Sequence, residues 1–425
     1  MKEIKLKGLQ ETVYLDETDH GLPIILWVNP HVRGYYMTLS VKYGSIDTEF
    51  QIGKKNYSVP NGVAHFLEHL NFQEEDGEDA QTFYQQNGSD VNAFTTFQYT
   101  SYEVYGRDDL KENLVHLLQF VTTPFFNKKM VQNEKNIIVE ENKMDLDNPG
   151  NALYYGMFQN LFKHDKHKNY ITGTKEDIMK TTLDDIVLAY DTFYHPSNMF
   201  LVVTGNFNPY EVVTIVKDYF KEQNVLPWKN PKKKEIREPA KIIKSYEEIV
   251  GNVEIPKIRI GIKIPRKVFH EKSDYKLRLI LSFLLNHNFG PTSDLYEELI
   301  TKDLIVSIGG EKSIIGSYVL LFLNVETKYP DEVLPILKQA LKTMKMTEKA
   351  FKRKLHSSLA NMVLTYDDIT EVNMAFQEQI MNYGEILENQ RDLFESITLQ
   401  DVKEVIRSIS CKEIAVVVLK PSTSS

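Results

Sequence analysis

The chain has 425 residues, more than a single hydrophobic core ordinarily organises, so two domains are expected. A hydrophobic fraction of 42% and a charged fraction of 26% are those of a globular protein, and no apolar run approaches the roughly 20 residues that cross a bilayer. A net charge of −9 argues against a nucleic-acid binder, and the single Cys411 with an opening that lacks a signal peptide's apolar core makes a reducing cytoplasm the expected compartment.

In chain order, residues 12–15 and 23–27 read as strands flanking the turn signal Asp19-His20-Gly21, and 35–43 as a long strand rich in β-formers. His20 and His31 lie in turn-like surroundings and read as solvated. After Pro60-Asn61-Gly62, with Asn61 as the expected N-cap, comes a helix carrying His65-Phe66-Leu67-Glu68-His69. Positions i and i+4 of a helix lie one above the other, so His65 and His69 can offer their imidazoles to one metal ion. Glu68 on the adjoining face can take a proton from a metal-bound water, whose pKa zinc lowers to roughly 7. The order H-x-x-E-H is the inverzincin signature. The plainer reading is an amphipathic helix with two surface histidines, because Val63, Phe66, Leu67 and Leu70 supply an apolar face with or without a metal. The following Glu74-Glu75-Asp76-Gly77-Glu78-Asp79 reads as a solvated face, with attraction for basic substrate residues as the alternative.

Residues 91–95 and 100–105 read as strands, and 108–121 as a helix in which His116 is packed among leucines. The helix at 129–146 places Glu134, Ile137, Ile138 and Glu141 on one stripe, an odd composition for core packing. A catalytic zinc keeps three protein ligands, and Glu141 or Glu134 can complete the site, with Glu140 turned about 100° away. An ordinary exposed acidic helix is the alternative. His164 and His167 stand in the charged His-Asp-Lys-His-Lys and read as solvent-exposed rather than as a second metal site. A helix at 183–194, a turn at His195-Pro196-Ser197-Asn198, a buried strand at 199–204 and a helix at 210–222 follow. The basic, proline-broken stretch from Pro227 to Lys234 then has the composition of a linker.

Beyond it, strands at 258–264, 317–325 and 414–419 alternate with helices at 272–285 and through most of 331–408. Thr182-Leu183-Asp184-Asp185-Ile186 leading into Phe200-Leu201-Val202-Val203 is matched about 215 residues later by Thr398-Leu399-Gln400-Asp401-Val402 leading into Ala415-Val416-Val417-Val418, which points to an internal duplication. No H-x-x-E-H recurs, so the chemistry is assigned to the first half. The expected class is α+β, an α/β sandwich of two related domains, each a mostly antiparallel sheet covered by helices. The expected boundaries are 1–222 and 246–425, joined by a linker at 223–245.

Gly62 through His69, Asn92-Ala93-Phe94-Thr95, Glu134 through Glu141, and Phe193 through Met199 together resemble the pitrilysin (insulinase-type) zinc peptidases nearly end to end. The chain is most similar to their small bacterial subunits that work in pairs, including those encoded with peptide-maturation systems. The resemblance implies one zinc ion per chain, held by His65, His69 and Glu141, with Glu68 as general base and Glu134 steering one of the histidines from outside the ligand set. It implies that a substrate peptide adds a strand along Asn92, Ala93, Phe94 and Thr95, and that two such halves enclose the substrate in a clam-shell chamber. In self-sufficient members the second domain carries an Arg and a Tyr seven residues apart that donate to the scissile carbonyl. Here Ile300 and Val306 or Ser307 fall at those places. Losing one oxyanion donor costs on the order of 10²-fold to 10³-fold in rate. A heterodimer with a related subunit that has the Arg and Tyr but no zinc motif is therefore expected, a homodimer being the other arrangement. The expected function is a zinc endopeptidase acting on small or extended peptides, in peptide maturation or leader processing. The alternatives are a non-catalytic peptide-binding scaffold subunit of a peptide-modification complex and a metal-dependent hydrolase of non-peptide substrates.

Overall fold

The computed structural model describes residues 1–73, 79–270 and 272–422, so the acidic run after the motif helix lies outside the described residues except for Asp79. The chain forms two compact units. The first comprises Met1–Asn142, Tyr170–Glu235 and Met362–Gln390, and the second Lys143–Asn169, Ile236–Asn361 and Arg391–Ser425. Neither is contiguous, which differs from the division at 222 and 246 that linker composition implies. Each of the displaced segments carries a helix that covers the sheet of the unit it joins.

The first unit contains β1 (Lys2–Leu6), β2 (Glu11–Glu17), β3 (Pro23–Val28), β4 (Tyr35–Val41), β5 (Glu49–Ile52), β6 (Lys55–Ser58), β7 (Asp90–Thr95), β8 (Thr100–Gly106) and β9 (Met199–Gly205). Seven of these make one sheet in the order β1-β2-β3-β9-β4-β8-β7, antiparallel except between β3 and β9. Side-chain alternation divides its two faces. Leu26, Met37 and Leu39 share one core with Val63, Phe66 and Leu67 of α1 (Val63–Asn71), whereas Ile25, Trp27 and Val202 pack against Ile369, Val372 and Phe376 of the helix Ile369–Tyr383. Burial on both faces explains why all seven residues of β4 are inaccessible. Its hydroxyls meet that second helix: Thr38 Oγ1 donates to Asn373 at 2.8 Å, and Ser40 Oγ to Gln377 at 3.0 Å.

The basic stretch expected to be a spacer is fastened to this unit. Lys232 and Lys233 form β10 against β5, Trp228 stacks on His195 with ring centroids 5.9 Å apart, and its indole N–H donates to the Thr192 carbonyl at 3.1 Å.

Three further helices of the first unit bear on the site: α2 (Ala80–Gln86), α3 (Leu110–Thr122) and α4 (Lys128–Asp147), the last continuing to the boundary at Asn142 and beyond it. His116 of α3 stacks on Phe83 with centroids 3.9 Å apart, the packed histidine its neighbours imply.

The second unit is built on β11 (Tyr246–Gly251), β12 (Lys257–Pro265), β13 (Ser307–Ile315), β14 (Tyr318–Glu326) and β15 (Ile414–Pro421), in the order β11-β15-β12-β14-β13. Only β11 and β15 are parallel, so order and sense repeat those of β3-β9-β4-β8-β7. The matched sequence blocks also repeat locally, since Thr182 with Asp185 and Thr398 with Asp401 each close a capping box. The helix α5 (Pro149–Leu161), capped by Asn148, packs Met157, Phe158 and Leu161 on Leu320, Phe322 and Val417. Gly261 of β12 admits this approach, because a Cβ there would lie 2.5 Å from Met157 Sδ. After α5, His164 is exposed, but His167 is 7% accessible and its Nδ1 lies 2.6 Å from Asp165. The expected exposure of His167 fails because the local acid partners the ring and lets it bury.

Candidate metal centre

The helix bearing the motif is set in place at its first residue. Gly62, not Asn61, is the N-cap, with φ +87, and a Cβ there would lie 2.2 Å from the Thr172 carbonyl oxygen. The Asn61 side chain turns instead to Asp177, at 3.2 Å. Asn142, next in sequence to Glu141, donates through Nδ2 to Thr172 Oγ1 at 2.6 Å and to the Gly173 carbonyl at 2.8 Å. The short loop at 172–173 thus grips both the start of α1 and the residue after Glu141. Its grip holds the two helices in register where their functional side chains meet.

There, one donor atom each from His65, His69 and Glu141 fall within 4.8 Å of one another, and this is the cluster of potential metal donors found among the described residues. His65 Nε2 lies 3.4 Å from Glu141 Oε1, and His69 Nε2 lies 3.2 Å from Glu141 Oε2. Donors about 2.0–2.1 Å from a common tetrahedral centre stand about 3.3 Å apart. Both histidine-to-Glu141 separations match that spacing, and two imidazoles with a carboxylate are donors that zinc takes, so this set fits the metal.

The neighbouring acids do different work. Glu134, 5% exposed, accepts from His69 Nδ1 at 2.8 Å through one oxygen and from Gln73 Nε2 at 2.6 Å through the other. It fixes the orientation of the His69 ring, leaving Nε2 to face Glu141. Glu68 is 8% exposed and takes a hydrogen bond from the Thr95 hydroxyl. Beneath the helix, Asn71 donates to the Tyr102 hydroxyl at 2.5 Å, which lies 2.8 Å from that of Tyr194, so its base rests on a buried polar chain.

Charges follow from these contacts. Burial disfavours the charged His69 ring, but Glu134 and Glu141 outweigh it and hold its pKa up at about 10. The His65 and His69 rings that face it hold the Glu141 carboxyl well below the usual range, against its partial burial. Burial raises Glu68, with His65 and the Thr95 hydroxyl opposing. Glu134 and Glu141 are thus the acids that stabilise positive charge at the His69 ring.

An open cleft of about 840 Å³ runs from Glu68, His69, Glu134 and Glu141 past Asn92, Ala93 and Ile137. The stripe read on α4 divides: Glu134 and Glu141 meet the motif helix and Ile138 is buried, while Ile137 is 56% exposed along the cleft. Among the described residues, β7 is the last strand at its end of the sheet. Phe94 of that strand packs edge-on against Tyr99 at 5.8 Å rather than lining the cleft. Gln73 and the side chain of Thr95 were not singled out as partners of these acids by the sequence; Gln73 lies past the end of α1 at Asn71 and Thr95 on a strand, so helical spacing points to neither. In the second unit, Ile300 and Val306 are 38% and 48% exposed.

Fold and site together define a chain of two repeated α+β units, with an H-x-x-E-H donor cluster beside an edge strand in the first. A family model described as "Insulinase (Peptidase family M16)" matches residues 38–175, and one described as "Peptidase M16 inactive domain" matches 180–358. The chain is 36% identical over 307 residues to the "uncharacterized zinc protease YmfH" of Bacillus subtilis (strain 168), covering 72% of each chain. It is 24% identical over 353 residues to "Zinc protease PqqE" of Helicobacter pylori, covering 79% of this chain and 78% of that one. Its fold is that of an M16-like peptidase from Alicyclobacillus acidocaldarius, with a TM-score of 0.89 at 22% identity over 96% of this chain and 98% of the other. The chain belongs to the insulinase family of peptidases, M16.

Proposed function

We propose that the chain is a zinc-dependent endopeptidase that cleaves small or extended peptides, with His65, His69 and Glu141 holding the metal and Glu68 acting as general base. The observation that carries this reading is the convergence of those three donors at zinc spacing beside the buried Glu68 carboxylate. When bound, zinc supplies the Lewis acidity that polarises a peptide carbonyl and acidifies water. Glu68 provides the carboxylate that accepts the released proton, and Glu134 holds the His69 ring against rotation. The outer edge of β7 among the described residues, with Asn92 and Ala93 on the cleft, offers backbone groups to an extended peptide, which favours peptides over other hydrolysable substrates.

The reading includes a partner. The apolar, exposed Ile300 and Val306 carry no group that donates to a scissile carbonyl, and Ser307, the other candidate for the Tyr position, has only a short hydroxyl in place of a phenol, so a related subunit would supply the Arg and Tyr, with peptide maturation or leader processing as the setting. The same positions favour a second reading, a non-catalytic peptide-binding subunit of a peptide-modification complex.

The test is mass-spectrometric cleavage of an unstructured peptide library by the zinc-loaded chain, alone and with a related subunit lacking the motif, beside Glu68→Gln. The first reading expects cleavage that the variant abolishes while keeping its zinc. Peptide binding without cleavage under every condition would instead leave the second. Cleavage by the chain alone would remove the partner requirement.

A further inference from the structure

The function proposed above gives Glu68 a proton to accept, but a buried carboxylate on a helix has rotamers that point elsewhere. What fixes it comes from the sheet. Thr95 is the last residue of β7, paired across the ladder with Thr100 of β8. Its side chain reaches the Glu68 carboxylate, and its hydroxyl donates to Oε2. A hydroxyl has one proton to give. The other acceptor near Thr95 Oγ1 is Thr100 Oγ1 at 3.3 Å, a weaker and longer alternative, and Thr100 already donates to the Tyr43 carbonyl at 3.1 Å. The closer contact and the stronger acceptor commit the Thr95 proton to the Glu68 carboxylate. Thr100 is fully buried, Tyr43 is 1% exposed, and Tyr43 stacks on Phe193 with centroids 4.2 Å apart, so the support behind Thr95 is rigid.

We propose that Thr95 is the positioning residue for Glu68, anchoring one carboxylate oxygen to the edge strand so that the other faces the metal-side end of the cleft. This rests on the peptidase reading for its kinetic consequence but not for its geometry. Thr95 touches neither the donor cluster nor the reacting atoms, and its contribution is orientation of a general base. General acid–base catalysis is worth roughly 10²-fold to 10⁴-fold, and loss of orientation forfeits part of that.

Two variants separate hydroxyl from packing. Thr95→Val keeps the shape and removes the donor, whereas Thr95→Ser keeps the donor and removes a methyl group. The inference expects kcat to fall about 10-fold to 100-fold in Thr95→Val, with KM and zinc content within about twofold of the parent, and to stay within about threefold in Thr95→Ser. Equal losses in both variants, or an unchanged kcat in Thr95→Val, would overturn it. Crystal structures of the zinc-loaded parent and both variants decide the matter without turnover: the Glu68 carboxylate should leave its place in Thr95→Val alone, and an unmoved carboxylate counts against the proposal. If the parent cleaves no peptide, the peptidase reading falls, and those three carboxylate positions still settle the role of Thr95.

Discussion

Glu134 and Glu141 sit seven residues apart on one helix and both reach His69, yet only Glu141 also reaches His65 and presents both oxygens to the donor side of the rings. Glu134 is spent on His69 Nδ1 and Gln73. Removing such an orienting acid typically weakens metal affinity 10-fold to 100-fold. Glu134→Gln should therefore loosen zinc by that range in a chelator competition, and Glu141→Gln by more; the reverse order would reassign the ligand. The sequence narrowed the third donor to these two acids, and the resemblance chose Glu141. Spacing could not separate them, because both lie on one helical stripe and the direction of the partner helix is a tertiary fact.

Between elements, the loop at 172–173 aligns the motif helix with α4. Gly62→Ala forces a side chain into φ +87 and toward the Thr172 carbonyl, a combination expected to cost on the order of 2 kcal/mol or more. It should lower the melting temperature and the zinc affinity together, since the same contact sets both; a variant as stable and as tight as the parent would show that the loop gives way. In the second unit the capping-box acid Asp401 is also paired with Lys272. Burial works against its ionised form, but the Lys272 and Thr398 contacts prevail and hold its pKa down at about 2. A carboxyl depressed in the folded state stabilises above its unfolded pKa of about 4, and that contribution disappears as the pH falls toward 2. Asp401→Asn should therefore be less stable than the parent by about 1–2 kcal/mol near neutrality, with the gap closing in acid denaturation curves below about pH 3. A gap that stays constant with pH would mean that Asp401 acts through shape alone.

At the scale of the whole chain, charge is unevenly shared. In the unit that holds the donor cluster, acidic side chains outnumber basic ones by nearly two to one, whereas in the other unit basic side chains are in excess. A field of one sign around a cleft raises the local concentration of oppositely charged ligands and is screened within about 8 Å at physiological salt. If the chain cleaves peptides, KM for a Lys-rich peptide should rise with ionic strength while KM for a neutral peptide of the same length holds; parallel responses would mean that the net charge does not reach the cleft. Among the described residues no helix is long and apolar enough to cross a membrane.

What the sequence determined by itself was whatever repeats or spaces itself locally. The strands β3, β4, β8, β9, β12, β14 and β15, the H-x-x-E-H helix and the repeated Thr182–Ile186 and Thr398–Val402 blocks were legible because side-chain period and local repetition act within a few residues. Tertiary structure alone decided that residues 143–169 and 362–390 pack in the units opposite to those their order implies, that Trp228 fastens the supposed spacer, that Asp165 buries His167, and that Thr95 turns its hydroxyl to Glu68. Each of these rests on which surfaces meet or on whether a nearby partner permits burial, and for contacts between distant parts of the chain local spacing carries no signal.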